Sequence, residues 1–379
     1  MTVKVLYSHT SGTTSHYTFQ PASPRRMTVK NRMKITSEPS VSPETKTVYI
    51  ITGADGFLGN NIVRLLQNRK NTEIRALILA GDQSESLHGL TCKKYTGNIL
   101  DPDSLKDLFD FSSEDRVFVI HCAGVVDIRG AYSEKEYNVN VYGTQNIAKL
   151  CEKTGARMIY VSSVHATTPA PDHQLMTESS DYNPDKVTGL YAKTKAAASR
   201  YIIREVKAGR LDAVIVQPGG LIGPNDHDDT HLTQFIAEVC NEKLPANVNE
   251  GYNFVDVRDV ANGIILACTK GRAGESYFLT NQTYTMKQIG DWASEANHSR
   301  KIGLIVPLWV AKAAVPFASI YYDVVHKVPL FTKYALETVQ ANSNFSNEKA
   351  RKELGFTVRP MKTTVADTVR YLRSIFRVS

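Results

Sequence analysis

TVYIITGADGFLGNNIVRLLQN, Thr47 to Asn68, is the stretch whose reading decides the fold. Val48, Tyr49, Ile50, Ile51 and Thr52 favour a strand and carry no charge. Gly53, Ala54, Asp55, Gly56, Phe57, Leu58 and Gly59 follow, after which apolar residues recur at helical spacing. This order predicts a strand, a glycine turn and a helix. The three glycines serve different ends. Gly53 lets the chain turn sharply, Gly56 lets backbone N–H groups approach a pyrophosphate, and Gly59 lets the helix pack closely on the strand. The helix N-terminus then faces the phosphates. Gly53, Asp55, Gly56, Phe57, Leu58 and Gly59 are therefore the predicted cofactor-binding turn.

Working outward, a second strand over Glu73–Leu79 should end at the adenosine ribose, where an acid receives a 2′-hydroxyl and an Arg a 2′-phosphate. Leu79, Ala80 and Gly81 stand there, with Asp82 slightly late and no Arg, so the reading leans to NAD over NADP. A short strand near Cys92–Thr96 leads into GNILDPDSL, Gly97–Leu105, where Asp101 or Asp103 can cap a helix entered at Pro102. Asn98, with Ile99 beside it, is placed at the adenine edge. A strand over Val117–His121 delivers Ala123 and Gly124, small enough for the backbone to lie against the middle of the cofactor. His121 reads as a strand-end histidine and not as a base. The helix predicted over Tyr137–Thr154 carries Asn140, able to bridge polar groups near the nicotinamide, and Gly155 as its C-cap. A strand over Arg157–Val161 presents Ser162 and Ser163 at its carboxyl end, where open α/β sheets place their chemistry.

Tyr191 and Lys195 are one turn apart on one helix face. A tyrosine with its ordinary pKa of about 10 is a poor proton shuttle at neutral pH, but a fixed ammonium nearby favours the phenolate. Lys195 can supply that charge while holding the nicotinamide ribose. Ser163 would hydrogen-bond the substrate oxygen, and Tyr191 would exchange a proton with it as hydride moves between carbon and nicotinamide.

TGADGFLG, HCAG, NVNVYGTQN, VSS and YAKTK, in this order, resemble the extended short-chain dehydrogenase/reductase family, over about residues 47–379. QPGGLIGPND, NFVDVRDVANG and FSNEKARKELGF narrow the resemblance to the branch with dihydroflavonol reductase-like, 3β-hydroxysteroid dehydrogenase-like and hopanoid-associated sugar epimerase-like proteins. The resemblance implies that Ser163, Tyr191 and Lys195 form the triad, that Pro218 with Leu221 closes over the nicotinamide, and that the protein is a homodimer. Asn98 departs from the Asp common at its position, and the Arg of NADP-preferring members is missing after Leu79. The expected fold is α/β: a Rossmann-type doubly wound parallel sheet over residues 47–220, with a small C-terminal substrate-binding lobe over 221–379 from which some elements return to the core.

The formal charge of +7 is concentrated in residues 1–46, where seven Lys or Arg face only Glu38 and Glu44. Basicity thus belongs to a tail rich in Ser, Thr and Pro and read as disordered, and nucleic acid is not an expected partner. The lack of acids before Glu38 fits a transit peptide, but no apolar face accompanies it. MTVK occurs at both Met1 and Met27, which points to a downstream start. Five scattered cysteines without a CxxC pair indicate neither a disulfide framework nor a zinc site, and suit a reducing, cytoplasmic setting.

Beyond the strand over Asp212–Gln217, NDHDDTH, Asn225–His231, reads as a mobile loop near the substrate rather than a metal site. Gly303–Tyr322 is the most apolar stretch, but Lys312, Pro307 and Pro316 interrupt it; it is expected to line an apolar pocket with Trp309, Phe317, Tyr321 and Tyr322, with contact to a membrane surface but no span. The expected activity is NAD(P)-dependent interconversion of a ketone and a secondary alcohol on a small hydrophobic or ring-bearing molecule. The alternative is an NAD-dependent nucleotide-sugar epimerase, disfavoured because Tyr252 stands where a diphosphate-neutralising Arg is usual. Dehydratase chemistry is disfavoured because Val164 and His165 replace an acid/base pair after Ser163.

Overall fold

Uncharged runs such as YIIT and VFVI can only be central strands, because both faces of the sheet they form are covered. The computed structural model describes residues 45–82, 85–126, 132–171, 174–315, 336 and 340–378. In it β1 (Thr47–Thr52) lies between β2 (Thr72–Ile78) and β4 (Arg116–His121); β3 (Lys93–Thr96) pairs outside β2, and β5 (Arg157–Val161), β6 (Ala213–Pro218) and β9 (Ser276–Leu279) extend the other side. Every one of these pairings is parallel, in the order β3-β2-β1-β4-β5-β6-β9. The strand order reverses between β1 and β4, which opens a crevice at their carboxyl ends.

Helices cover both faces. On one, α1 (Phe57–Leu66) and α6 (Val257–Lys270) bury Ile62, Val63, Leu66, Val260 and Ile264 against β1 and β5. On the other, α3 (Thr144–Thr154) and α4 (Leu190–Lys207) bury Ile147, Cys151, Ala196 and Ile202. The Asp101 side chain accepts the Asp103 N–H, and Gly155 closes α3 in a left-handed conformation, both as expected.

The single helix expected over Tyr137–Thr154 is instead a short α2 (Glu134–Tyr137) that runs through a wide π turn, Asn138–Gly143, into α3. The helix therefore starts earlier, at the Ser133 cap. The turn places Asn140 and Gly143 for contact with neighbouring loops: a Cβ on Gly143 would lie 2.5 Å from the Ile99 Cδ1. π turns of this kind recur at functional sites.

A second, three-stranded sheet joins β7 (Gly220–Ile222), β8 (Gly251–Asp256) and β10 (Gln282–Thr285), with β8 central. It shares an apolar core with α5 (His231–Cys240), α7 (Met286–Asn297) and α8 (Met361–Ser374), through Phe235, Phe254, Ile289 and Val365. Because β9 extends the parallel sheet and α6 packs on one of its faces, the chain beyond residue 221 contributes to both layers. No helix among the described residues is long and apolar enough to cross a membrane. Trp309 is 72% exposed and so does not serve as the expected pocket wall. Phe317, Tyr321, Tyr322 and the N-terminal tail up to residue 44 lie outside the described residues.

Candidate active site

The crevice is built where β1, β4 and β5 release the chain. Gly53 has φ +63°, and a Cβ there would lie 2.9 Å from the Ala123 Cα, so the glycine turn and the end of β4 touch backbone to backbone. A Cβ on Gly59 would stand 2.0 Å from the Gly53 carbonyl oxygen, which is the close helix packing expected of it. At Gly56 the nearest atom to an added Cβ would be 3.5 Å away. A cavity of about 400 Å³ follows the turn, lined by Gly53, Gly56, Phe57, Leu58, Gly59, Gly124, Ser163, Tyr191, Lys195, Pro218 and Leu221. Eleven residues expected from the sequence to serve the site thus meet at one opening.

At its far end, Gly189 with φ +88° starts α4 so that Tyr191 lies in its first turn. Lys195 is buried; its Nζ donates to the Val161 carbonyl at 2.8 Å and lies 6.0 Å from the Tyr191 ring centroid. Burial pulls the Lys195 pKa down to about 8, against a smaller upward pull from Cys122. Ser163 is buried, and its Oγ accepts the His165 N–H at 3.3 Å, so its own hydroxyl proton can be donated elsewhere. Gln217 fixes the Ser163 carbonyl at 2.9 Å and is itself held by Tyr182 and Thr167.

Other predicted residues act from behind. Asn140 accepts the Val125 N–H at 2.8 Å and donates to the Val125 carbonyl and to Thr194 Oγ1, bracing the backbone around Gly124 against α4. His121 spends both ring nitrogens on Thr52 and Thr144, and burial drives its pKa down to about 3, consistent with a structural residue. Asn98 closes its own turn by accepting the Leu100 N–H, and Ile99 packs toward Gly143. The structure brings neither Asn98 nor Ile99 to the residues lining this cavity. Burial, with Asp82 and Asp228 nearby, raises the Asp55 pKa to about 6.

The residues present fit a dinucleotide: a glycine cradle with backbone at one end, a buried cation and a tyrosine at the other. A model of the NAD dependent epimerase/dehydratase family matches residues 49–280. The chain belongs to that family. Sterol demethylase protein B of Methylococcus capsulatus is 26% identical over 328 residues, which cover 86% of this chain and 98% of that protein. The 3 beta-hydroxysteroid dehydrogenase/Delta 5-->4-isomerase of Mycobacterium tuberculosis is 25% identical over 355 residues, covering 86% and 90%. Among solved structures, gox2253 superposes with a TM-score of 0.73 at 27% identity, covering 88% of this chain and 99% of that one. As a member of an NAD-dependent enzyme family, the chain is an enzyme with the parallel-sheet fold expected from Thr47–Asn68.

Several residues of the site are not apparent from the sequence patterns. Asn60 and Asn61 of α1 donate to the carbonyls of Asn225 and Pro224 at 3.0 and 3.3 Å. Asp226 then accepts from the Asp228 N–H and from both Thr230 donors. NDHDDTH is therefore a hydrogen-bonded turn beside α1, and its Asp228, Thr230 and His231 line the same cavity as Tyr191. Adjacent asparagines opening a helix are the one available signal.

Lys195 carries its charge below about pH 8 and loses it above. The ratio kcat/KM is expected to fall on an alkaline limb near that value, and Lys195→Arg, charged throughout, should move the limb upward. An unmoved limb in that variant assigns it to another group.

Proposed function

We propose that the chain is an NAD(P)-dependent oxidoreductase that interconverts a ketone and a secondary alcohol on a hydrophobic, ring-bearing small molecule, with Tyr191 as the acid/base. The observation that carries this reading is the uncharged wall beside Tyr191. A second cavity of about 130 Å³ is lined by Val164, Met176, Val187, Ala192 and Phe345, with His165 and Tyr252. The His165 ring stacks on Tyr252 at 5.4 Å and 8°, with Nε2 3.2 Å from the Tyr252 hydroxyl, and meets the Tyr191 ring edge-on at 6.3 Å. Burial lowers the His165 pKa to about 4, so the imidazole is neutral under physiological conditions. A flat apolar ring can pack there, whereas a nucleotide diphosphate meets no cation among the residues lining this cavity.

When bound, the nicotinamide supplies or accepts hydride. The chain's part is positional and protonic: Ser163 donates to the reacting oxygen, Tyr191 gives or takes its proton, and the Lys195 ammonium stabilises the phenolate left behind. Relatives named for sterol and 3 beta-hydroxysteroid chemistry support a ring-bearing substrate. The acidic corner formed by Asp55 and Asp82, which act on each other, supports NAD over the more negative NADP.

Purified protein should oxidise NADH or NADPH in the presence of ring ketones and release cofactor on gel filtration. Permanently bound cofactor with interconversion of UDP-sugars would overturn the reading. Replacing Tyr252 by Ala should raise KM for a ring ketone about tenfold with a smaller change in kcat, because an aromatic wall is lost while the reacting groups stay. Equal effects on ring and open-chain ketones would show that Tyr252 does not read the ring.

A further inference from the structure

α1 begins at Phe57, and the first amides of a helix have no partners within it, so its head is a natural seat for an anion. An anion of the chain's own already stands there. The Asp228 Oδ2 lies 3.7 Å from the position of a Cβ on Gly56, Asp228 lines the same cavity as Gly53, Gly56 and Tyr191, and the Phe57 backbone amide favours its ionised form. Its loop is fixed from two sides. Asn60 and Asn61 hold the loop's entrance on α1, and Asp226 caps its exit at Thr230. Within it, Asn225 and Asp229 take left-handed conformations, φ +67° and +53°, which shape the tight turn that presents Asp228.

We propose that Asp228 sets dinucleotide affinity: its carboxylate holds the phosphate seat at the head of α1, so the cofactor can settle only when the 225–230 loop turns Asp228 away or Asp228 gives up its charge. This rests on the dinucleotide reading of the cavity and adds to it a residue that opposes binding. Because the loop runs straight into α5 through Thr230, His231 and Leu232, which border the same cavity, its movement reshapes the space in front of Tyr191.

The surroundings decide the sign of the pH dependence. Asp226 and His227 face Asp228 from its own loop and Asp82 from behind β2, while Asp55 faces it from the glycine turn; Arg64 and Glu85 act on neighbouring His227. Acids outnumber cations in this corner. Burial, then Asp226, raises the Asp228 pKa, so the carboxyl takes up a proton at a higher pH than an exposed aspartate. A pyrophosphate would raise it further, and dinucleotide affinity should therefore increase as pH falls.

The test is a binding titration of the full chain with NADH and with ADP-ribose, which has the pyrophosphate without the nicotinamide, at mildly alkaline and mildly acidic pH. Asp228→Asn, which keeps shape and removes charge, should bind both about tenfold more tightly than wild type in mild alkali, the scale of one like-charge contact at a helix head. The advantage should shrink in acid, where wild-type Asp228 is increasingly neutral, while Asp55→Asn keeps the Asp228-dependent part of the slope. Asp228→Asn binding no tighter than wild type in mild alkali overturns the proposal, as does tightening by Asp228→Ala alone, which would make bulk and not charge the obstacle. If neither wild type nor Asp228→Asn binds either probe while thermal melting shows both folded, the dinucleotide reading fails along with it.

Discussion

Tyr191→Phe is expected to lower kcat by about 10²- to 10⁴-fold, the usual worth of a positioned proton donor, while dinucleotide affinity stays within about twofold. The substitution removes one oxygen and leaves the ring. The edge contact with His165 and the approach of the Lys195 ammonium are both to that ring, and the Lys195 Nζ is also bonded to the Val161 carbonyl, so the frame of the site should persist. Both groups keep their places and only the proton is missing. Steady-state turnover with a ring ketone measures the first quantity and cofactor titration the second. Turnover near the wild-type level would remove Tyr191 from the acid/base role, whereas loss of cofactor binding in parallel would show that the hydroxyl supports the cradle instead.

The sheet is legible in the sequence because each strand is its own apolar run: the pattern gives Arg157–Val161 to the residue, and β1, β4 and β6 to within one or two. The glycine turn is legible for a different reason, since each glycine there answers a local demand for turn, approach or packing. Sequence periodicity fails around Asn138, because a π turn carries apolar residues at nearly the spacing of an α-helix and differs from it in the backbone bonding, which side-chain pattern does not record. Asn98 reads as a ligand in sequence; in the fold its Oδ1 accepts the Leu100 N–H and its backbone N–H donates to Ser104 Oγ, a local turn that the sequence pattern does not announce. The remaining parts of the site depend on long-range pairing. His165 meets Tyr252 across 87 positions and Asn60 meets Asn225 across 165, and no local pattern encodes either meeting. In sequence, Tyr252 and His165 stand as separate departures from a charged site; the fold turns those two departures into one neutral wall.

Gly59→Ala should cost about 3 kcal/mol or more and abolish measurable dinucleotide binding, a larger effect than a methyl group causes at most buried positions. The reason is what the methyl would strike. Its Cβ would fall 2.0 Å from the Gly53 carbonyl oxygen and 2.8 Å from the Ala54 Cα, and both are backbone, so no side chain can swing aside. Either α1 must move off β1, surrendering the packing of Ile62, Val63 and Leu66, or the turn at Gly53 must open and lose its contact with Ala123. Each route displaces the backbone amides that make the phosphate cradle. Gly155→Ala is the matched comparison: Gly155 has φ +73° with nothing within 4 Å of an added Cβ, so that variant should cost only about 1 kcal/mol of left-handed strain and spare binding. Chemical unfolding and cofactor titration of the two variants separate crowding from backbone conformation. If Gly59→Ala unfolds like wild type and still binds NADH, the close packing of α1 on the glycine turn is not what builds the site.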